Sequence, residues 1–239
     1  MADSQSPFRP SFLKLERAQQ HISELERLAD EYVASNPVTA SARPLGAEER
    51  PQGMIVGWRF SLSVKEPPEQ MSPIIGDIFH NLRSALDLMA SALAIRNEKS
   101  SDDVYFPFAG SEGDLDLMIS KRNFDRTGDA AVKLIKELKP YKGGNLELRA
   151  IHDLNIRDKH QELIVERPLS TASGPILDFQ PEDGSGIKLM QDSVTTSVKL
   201  IFPKDCALAD QELISTLKQL VELATGIVKS FEALGAPAG

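Results

Sequence analysis

Apolar residues recur at helical spacing along much of the chain. Phe12, Leu15, Ala18, Ile22, Leu25, Ala29 and Tyr32 fall on one stripe and predict a helix over residues 12–34, with Ser11 as its N-cap and Pro37 just beyond its end. Ile75, Ile78, Phe79, Leu82, Leu86, Met89 and Leu93 predict a second helix over 72–96. Shorter helices are expected near 113–120 and 129–138, where Pro140 and Gly143-Gly144 break the pattern. A helix over 145–165 is expected to end before Pro168. A last amphipathic helix over 209–234 aligns Leu213, Leu217, Leu220, Val221, Ala224, Ile227, Val228, Phe231 and Leu234, and Gly235 suits its C-terminal cap.

Elsewhere the period changes to two. Val56, Trp58, Phe60, Leu62 and Val64 alternate with polar or small residues and predict a half-buried strand over 54–65, stopped by Pro67 and Pro68. Further strands are expected at 175–180, 186–191 and 194–202, with Asp183-Gly184 as a hairpin turn between the first two. Residues 36–52, rich in Pro and small or polar residues, read as a loop, and 102–111 as an extended, partly buried connection anchored by Phe106 and Phe108. The expected architecture is a single α+β domain over 1–239. It is a helical bundle with a small antiparallel sheet made of the 54–65 strand and the 175–202 strands.

A chain of 239 residues can bury a substantial core without disulfides or metals. Its one cysteine, Cys206, cannot form an intrachain disulfide, and the first twelve residues carry no apolar signal-peptide core. No apolar run approaches the length of a membrane span. These features lead to the expectation of a cytoplasmic protein. The net charge of −8 disfavours broad nucleic-acid binding. One stretch runs against that balance: between Lys121 and Lys142 seven basic residues face three acidic ones, a local charge of +4. A solvated helix face is the plainer reading of it, a binding patch the other.

Candidate chemistry concentrates on two helices. On the 72–96 helix, Asp77, His80, Arg83, Ser84, Asp87 and Ser91 fall within a band of about 120° opposite the apolar stripe. His80, Arg83 and Asp87 stack along one line, and Arg83 can reach Asp87 at i+4. Gly76, Ala85, Ala90, Ala92 and Ala94 are small enough to let other elements approach, so the polar stripe should lie in a buried or interfacial network in which each charge needs a partner. On the 145–165 helix, Asn155, Asp158, Lys159 and Glu162 share a face with Ile151, while Arg157 and His160 point elsewhere. Packed together, the two helices would pair Arg83 with Asp158 and Asp87 with Lys159. His152 and His160 also read as ordinary surface or partly buried helix residues.

Phosphate-loop, dinucleotide, zinc-protease and serine-hydrolase motifs are all absent from the sequence, and four scattered histidines with one cysteine make no zinc signature. No cofactor or metal is expected. Aromatic residues, at 6% of the chain, do not interleave with basic ones as a base-stacking surface would require.

The string Gly76-Asp77-Ile78-Phe79-His80-Asn81-Leu82-Arg83-Ser84-Ala85-Leu86-Asp87 resembles the helix shared by a group of uncharacterised bacterial and phage proteins. Their second helix is matched here by Asn155-Ile156-Arg157-Asp158-Lys159-His160. More remotely, the first motif is similar to the HEPN superfamily of helical bundles, marked by an Arg followed four to six residues later by a His. The resemblance implies a HEPN-like bundle, a homodimer and, in active members, metal-independent ribonuclease activity. In that chemistry the His moves protons and the Arg stabilises phosphate. This chain departs from the pattern: Asp87 and Leu88 stand four and five residues after Arg83, and His80 lies three residues before it.

Two functional readings follow. In one, a degenerate, non-catalytic HEPN-like module serves binding or interaction with a protein partner or a second copy, and its polar stripe, with Asp77, Asp87, Asn155, Asp158 and Lys159, holds the bundle together. In the other, Arg83 with His80 or His160 cleaves RNA, or Arg83 and Lys159 bind RNA or another phosphate-bearing ligand.

Overall fold

A computed structural model describes residues 6–50, 52, 58–160, 167–173, 177–180, 186–189 and 195–234. In chain order the elements are α1 (Arg9–Ala34), β1 (Val38–Pro44), β2 (Trp58–Val64), α2 (Met71–Arg96), α3 (Leu115–Lys121), α4 (Asp129–Leu138), α5 (Leu146–His160), β3 (Arg167–Ser173), β4 (Leu177–Gln180), β5 (Gly186–Leu189), β6 (Thr195–Ile201) and α6 (Leu213–Ala233). The class is α+β, mostly helical with small antiparallel strand pairs.

Four of the helices form the frame, and α2 is central to it: α1, α5 and α6 all pack on α2, and α6 also meets α1 and α5. The sequence of α2 explains this position. Ile75, Ile78, Phe79, Leu82, Leu86, Met89 and Leu93 are fully buried, as are Ala85, Ala90 and Ala94 on other sides of the same helix. Each large side chain so buried contributes about 1.5–3 kcal/mol. The small residues set how closely neighbours come. A Cβ at Gly76 would collide with the Asp158 carboxylate of α5, so a larger residue at this crossing would force that side chain aside. At the other end of α2, Arg96 donates to the Phe231 and Glu232 carbonyls at the end of α6, and its guanidinium lies 5.2 Å from the Phe8 ring centroid.

Several sequence expectations need correction. The first helix starts at Arg9, not at residue 12, because Pro10 is well placed in a first turn; Ser11 is a buried helical residue rather than the cap. Part of the expected 36–52 loop is β1, which pairs antiparallel with β2 from Val38↔Val64 to Pro44↔Trp58. The 54–65 strand therefore finds its partner locally instead of joining the 175–202 strands. Those segments form separate pairs, β3 with β6 and β4 with β5. β3 was missed, because Pro168 reads as a helix stop, yet it sits near the start of a strand. α5 is described only as far as His160. The Asp183-Gly184 turn and the Gly235 cap lie outside the described residues. Among the described residues no helix is long and apolar enough to cross a membrane.

Candidate functional site

The polar stripe of α2 divides into two parts. Asp77 and His80 are exposed, and His80 makes no hydrogen bond with Arg83. Arg83 and Asp87 turn inward toward the segment Val104–Gly110, which crosses α2 and α5 in extended form. Arg83 Nε donates to Asp87 Oδ2 at 3.0 Å and Nη2 to Oδ1 at 2.8 Å, a bidentate pair. Nη2 also donates to the Phe106 carbonyl at 3.1 Å, while the Phe106 N–H donates to Asp87 Oδ1 at 3.0 Å. The ion pair thus holds both backbone groups of one residue.

A second pair does related work from α5. Arg149 Nε and Nη2 donate to the Asp153 carboxylate at 3.2 and 2.7 Å, and Nη1 donates to the Ala109 carbonyl at 2.8 Å. An extended segment away from any sheet must place its buried N–H and C=O groups somewhere, and three further bonds add to those made by the two clamps. Ser91 Oγ donates to the Val104 carbonyl, the Tyr105 N–H to the Arg122 carbonyl, and the Ala109 N–H to the Pro140 carbonyl. Pro107 has no N–H to place.

Aromatic contacts complete the cluster. Phe106 and Phe108 are buried, with ring centroids 4.9 Å apart, and Phe106 continues through Phe124 to Phe231 of α6. The Arg83 guanidinium lies 4.5 Å from the Phe108 centroid. His152 of α5 stacks on the same ring at 4.7 Å, and its Nδ1 is 3.5 Å from Arg83 Nη1.

Burial dominates the electrostatics. It lowers the basicity of Arg83, against the pull of Asp87, and a guanidinium still remains charged throughout the working pH range. Burial likewise raises the Asp87 carboxyl, opposed by the Arg83 charge and the Phe106 N–H. His152 is held down to about 3, first by burial and then by the Arg83 and Arg149 charges, so its ring is neutral.

The pairings drawn from helical wheels are not those of the fold. Arg83 bonds Asp87, not Asp158, which lies about two turns away against Gly76. Asp87 is taken up by Arg83 and Phe106. The side chains of Lys159 and His160 lie outside the described residues. Asn155 is buried. Sequence reasoning missed Arg149 and Asp153, and read His152 only as an ordinary surface or partly buried helix residue, which is where the structure places it, partly buried on α5. Arg149 and Asp153 repeat the Arg-x-x-x-Asp spacing of Arg83 and Asp87, a signal available in the sequence. Among the described residues no group of His, Cys, Asp and Glu is placed to hold a metal ion.

Compared with known proteins, the chain matches no family model, no curated protein and no solved structure.

Proposed function

We propose that the chain is a degenerate, non-catalytic HEPN-like module that acts by binding, with Arg83 serving the fold rather than a reaction. The observation that carries this reading is the commitment of the guanidinium. Its N–H groups are directed to the Asp87 carboxylate, the Phe106 carbonyl and His152, and its plane meets the Phe108 ring. A catalytic Arg needs a face open to the charge that develops on substrate. Here a carboxylate already neutralises it. That carboxylate, Asp87, occupies a position where active HEPN sequences carry histidine, and His80 points to solvent without reaching Arg83. A homodimer, as the resemblance implies, and the cytoplasmic location expected from the lone Cys206 belong to the same reading, and light scattering on the eluting protein tests the dimer.

The decisive experiment incubates the purified protein and Arg83→Ala with mixed structured RNAs in EDTA, on denaturing gels, beside thermal melts of both. The expected result is intact RNA in both lanes and a large fall in Tm for Arg83→Ala. Cleavage by the wild type that Arg83→Ala abolishes would overturn the reading in favour of a metal-independent ribonuclease.

A further inference from the structure

α1 and α6 run antiparallel. Ser6, just before α1, donates to Glu232 near the end of α6, and Lys218 near the start of α6 pairs with Glu26 in the second half of α1. Between the two helices lies a groove of about 460 Å³, a volume within the range of small-molecule sites. Ile22 and Val221, both buried, form its floor. Gln19, Ser23 and Glu26 line it from α1, Lys218 and Glu222 from α6. Residues 19 to 26 cover two turns of α1, so the groove runs about 10 Å along the helices. That length suits a small ligand rather than a long partner helix.

The polar groups of the groove are unequally committed. Lys218 is bound to Glu26, and this pair closes one end. Glu222 is exposed and makes no hydrogen bond or ion pair among the described residues. Because the helices are antiparallel, Glu222, four places beyond Lys218, stands opposite Ile22, four places before Glu26, with Gln19 and Ser23 to either side. The Gln19 side-chain amide is also uncommitted among the described residues. Ser23 Oγ donates to the Gln19 backbone carbonyl and so keeps its lone pairs for accepting. One turn further along α6 the groove stays open, since a Cβ at Gly226 would meet nothing within 4 Å.

One ammonium and two carboxylates leave a single negative charge, and it sits at Glu222 beside two further acceptors. Among the described residues no group of His, Cys, Asp and Glu is placed to hold a metal ion, so the charge to be matched is that of an organic cation. We propose that the α1–α6 groove binds a small primary alkylammonium ligand, its ammonium held by Glu222, Gln19 and Ser23 and its aliphatic body laid on Ile22 and Val221. A primary ammonium has three N–H donors for these three acceptors. The apolar floor supplies contact that an inorganic cation cannot use. The site lies apart from the Arg83 cluster and does not depend on whether RNA is cleaved.

The test follows the Ile22 and Val221 methyl groups by ¹H–¹³C correlation while n-pentylammonium chloride is added to the purified full chain at constant pH and ionic strength. Ammonium chloride and n-pentanol form parallel arms, the first lacking the body and the second the charge. The expected result is a response that saturates with pentylammonium and is much weaker in either control. Glu222→Gln should weaken pentylammonium about fivefold, as loss of one partly exposed ion pair implies. It should leave the melting curve unchanged, because Glu222 is exposed and unpaired among the described residues. Shifts that never saturate, an equal response to pentanol, or an equal affinity in Glu222→Gln would overturn the site.

Discussion

Arg83 on α2 and Arg149 on α5 each bind a carboxylate four residues onward and each reach a carbonyl of the Val104–Gly110 segment. Spacing, chemistry and client are shared, and the two arginine side chains are equally enclosed at 12% exposure. The loads differ. Asp87 is the better buried acid and also accepts the Phe106 N–H, whereas Asp153 serves Arg149 alone and is one-third exposed. Arg83 further touches Phe108 and His152. The same local pair is therefore a buried keystone on the central helix and a lighter brace on the outer one. An ion pair at i, i+4 takes its energetic weight from burial and from the other groups it satisfies.

The contrast is sharpest in alanine substitutions. Arg83→Ala strands the Asp87 carboxylate and the Phe106 carbonyl, and should cost about 3–5 kcal/mol, the range for breaking a buried pair. Arg149→Ala leaves Asp153 able to turn to water and should cost about 1–2 kcal/mol. Urea unfolding of both variants checks the order, and equal losses would erase the distinction between keystone and brace.

Gly76→Ala tests the crossing that sets the two helices against each other. Its Cβ runs into Asp158, so overpacking should cost about 1–3 kcal/mol. Asp158→Ala in the same chain should recover part of that loss. A Gly76→Ala melt that matches the wild type would show that the Asp158 carboxylate moves aside at no cost and that the contact does not fix the crossing.

His152 stands between the clamps and provides the pH arm. Its folded value of about 3 lies below the ordinary 6.5, so the unfolded chain binds the extra proton. Its contribution is complete above pH 6.5 and is lost progressively as pH falls toward 3. In His152→Gln, which keeps an acceptor for Arg83, stability should fall less steeply between pH 6.5 and 4; parallel curves would remove the histidine from the account. The smallest effect belongs to Arg27→Ala. Arg27 and Glu31 also pair at i, i+4, but both are more than half exposed, so a few tenths of a kcal/mol is expected. A loss as large as that of Arg149→Ala would show that spacing outweighs burial.

Helix periodicity was readable because each buried face carries large apolar residues at regular intervals, as in α1, α2 and α6. Likewise, the small residues of α2 correctly announced close neighbours. The partners of the polar stripe were not readable. A helical wheel gives the direction of Arg83 and Asp158 around their axes but not the offset of α5 along α2, and the Gly76–Asp158 contact sets that offset. β1 escaped notice because Thr39, Ser41 and Arg43 alternate with small residues, which read as loop until Val64, Leu62 and Phe60 are placed opposite as strand partners.

By itself, then, the sequence determined which faces are apolar, that Arg83 and Asp87 are within reach of each other, and that no familiar catalytic motif is present. These are local properties, decided within a few residues along the chain. Only the tertiary structure decided that Phe106 is held by that pair, that Arg149 reaches the Ala109 carbonyl, and that His152 stacks on Phe108 beside Arg83. Those relations join residues 19 to 69 positions apart, through packing that no local spacing encodes.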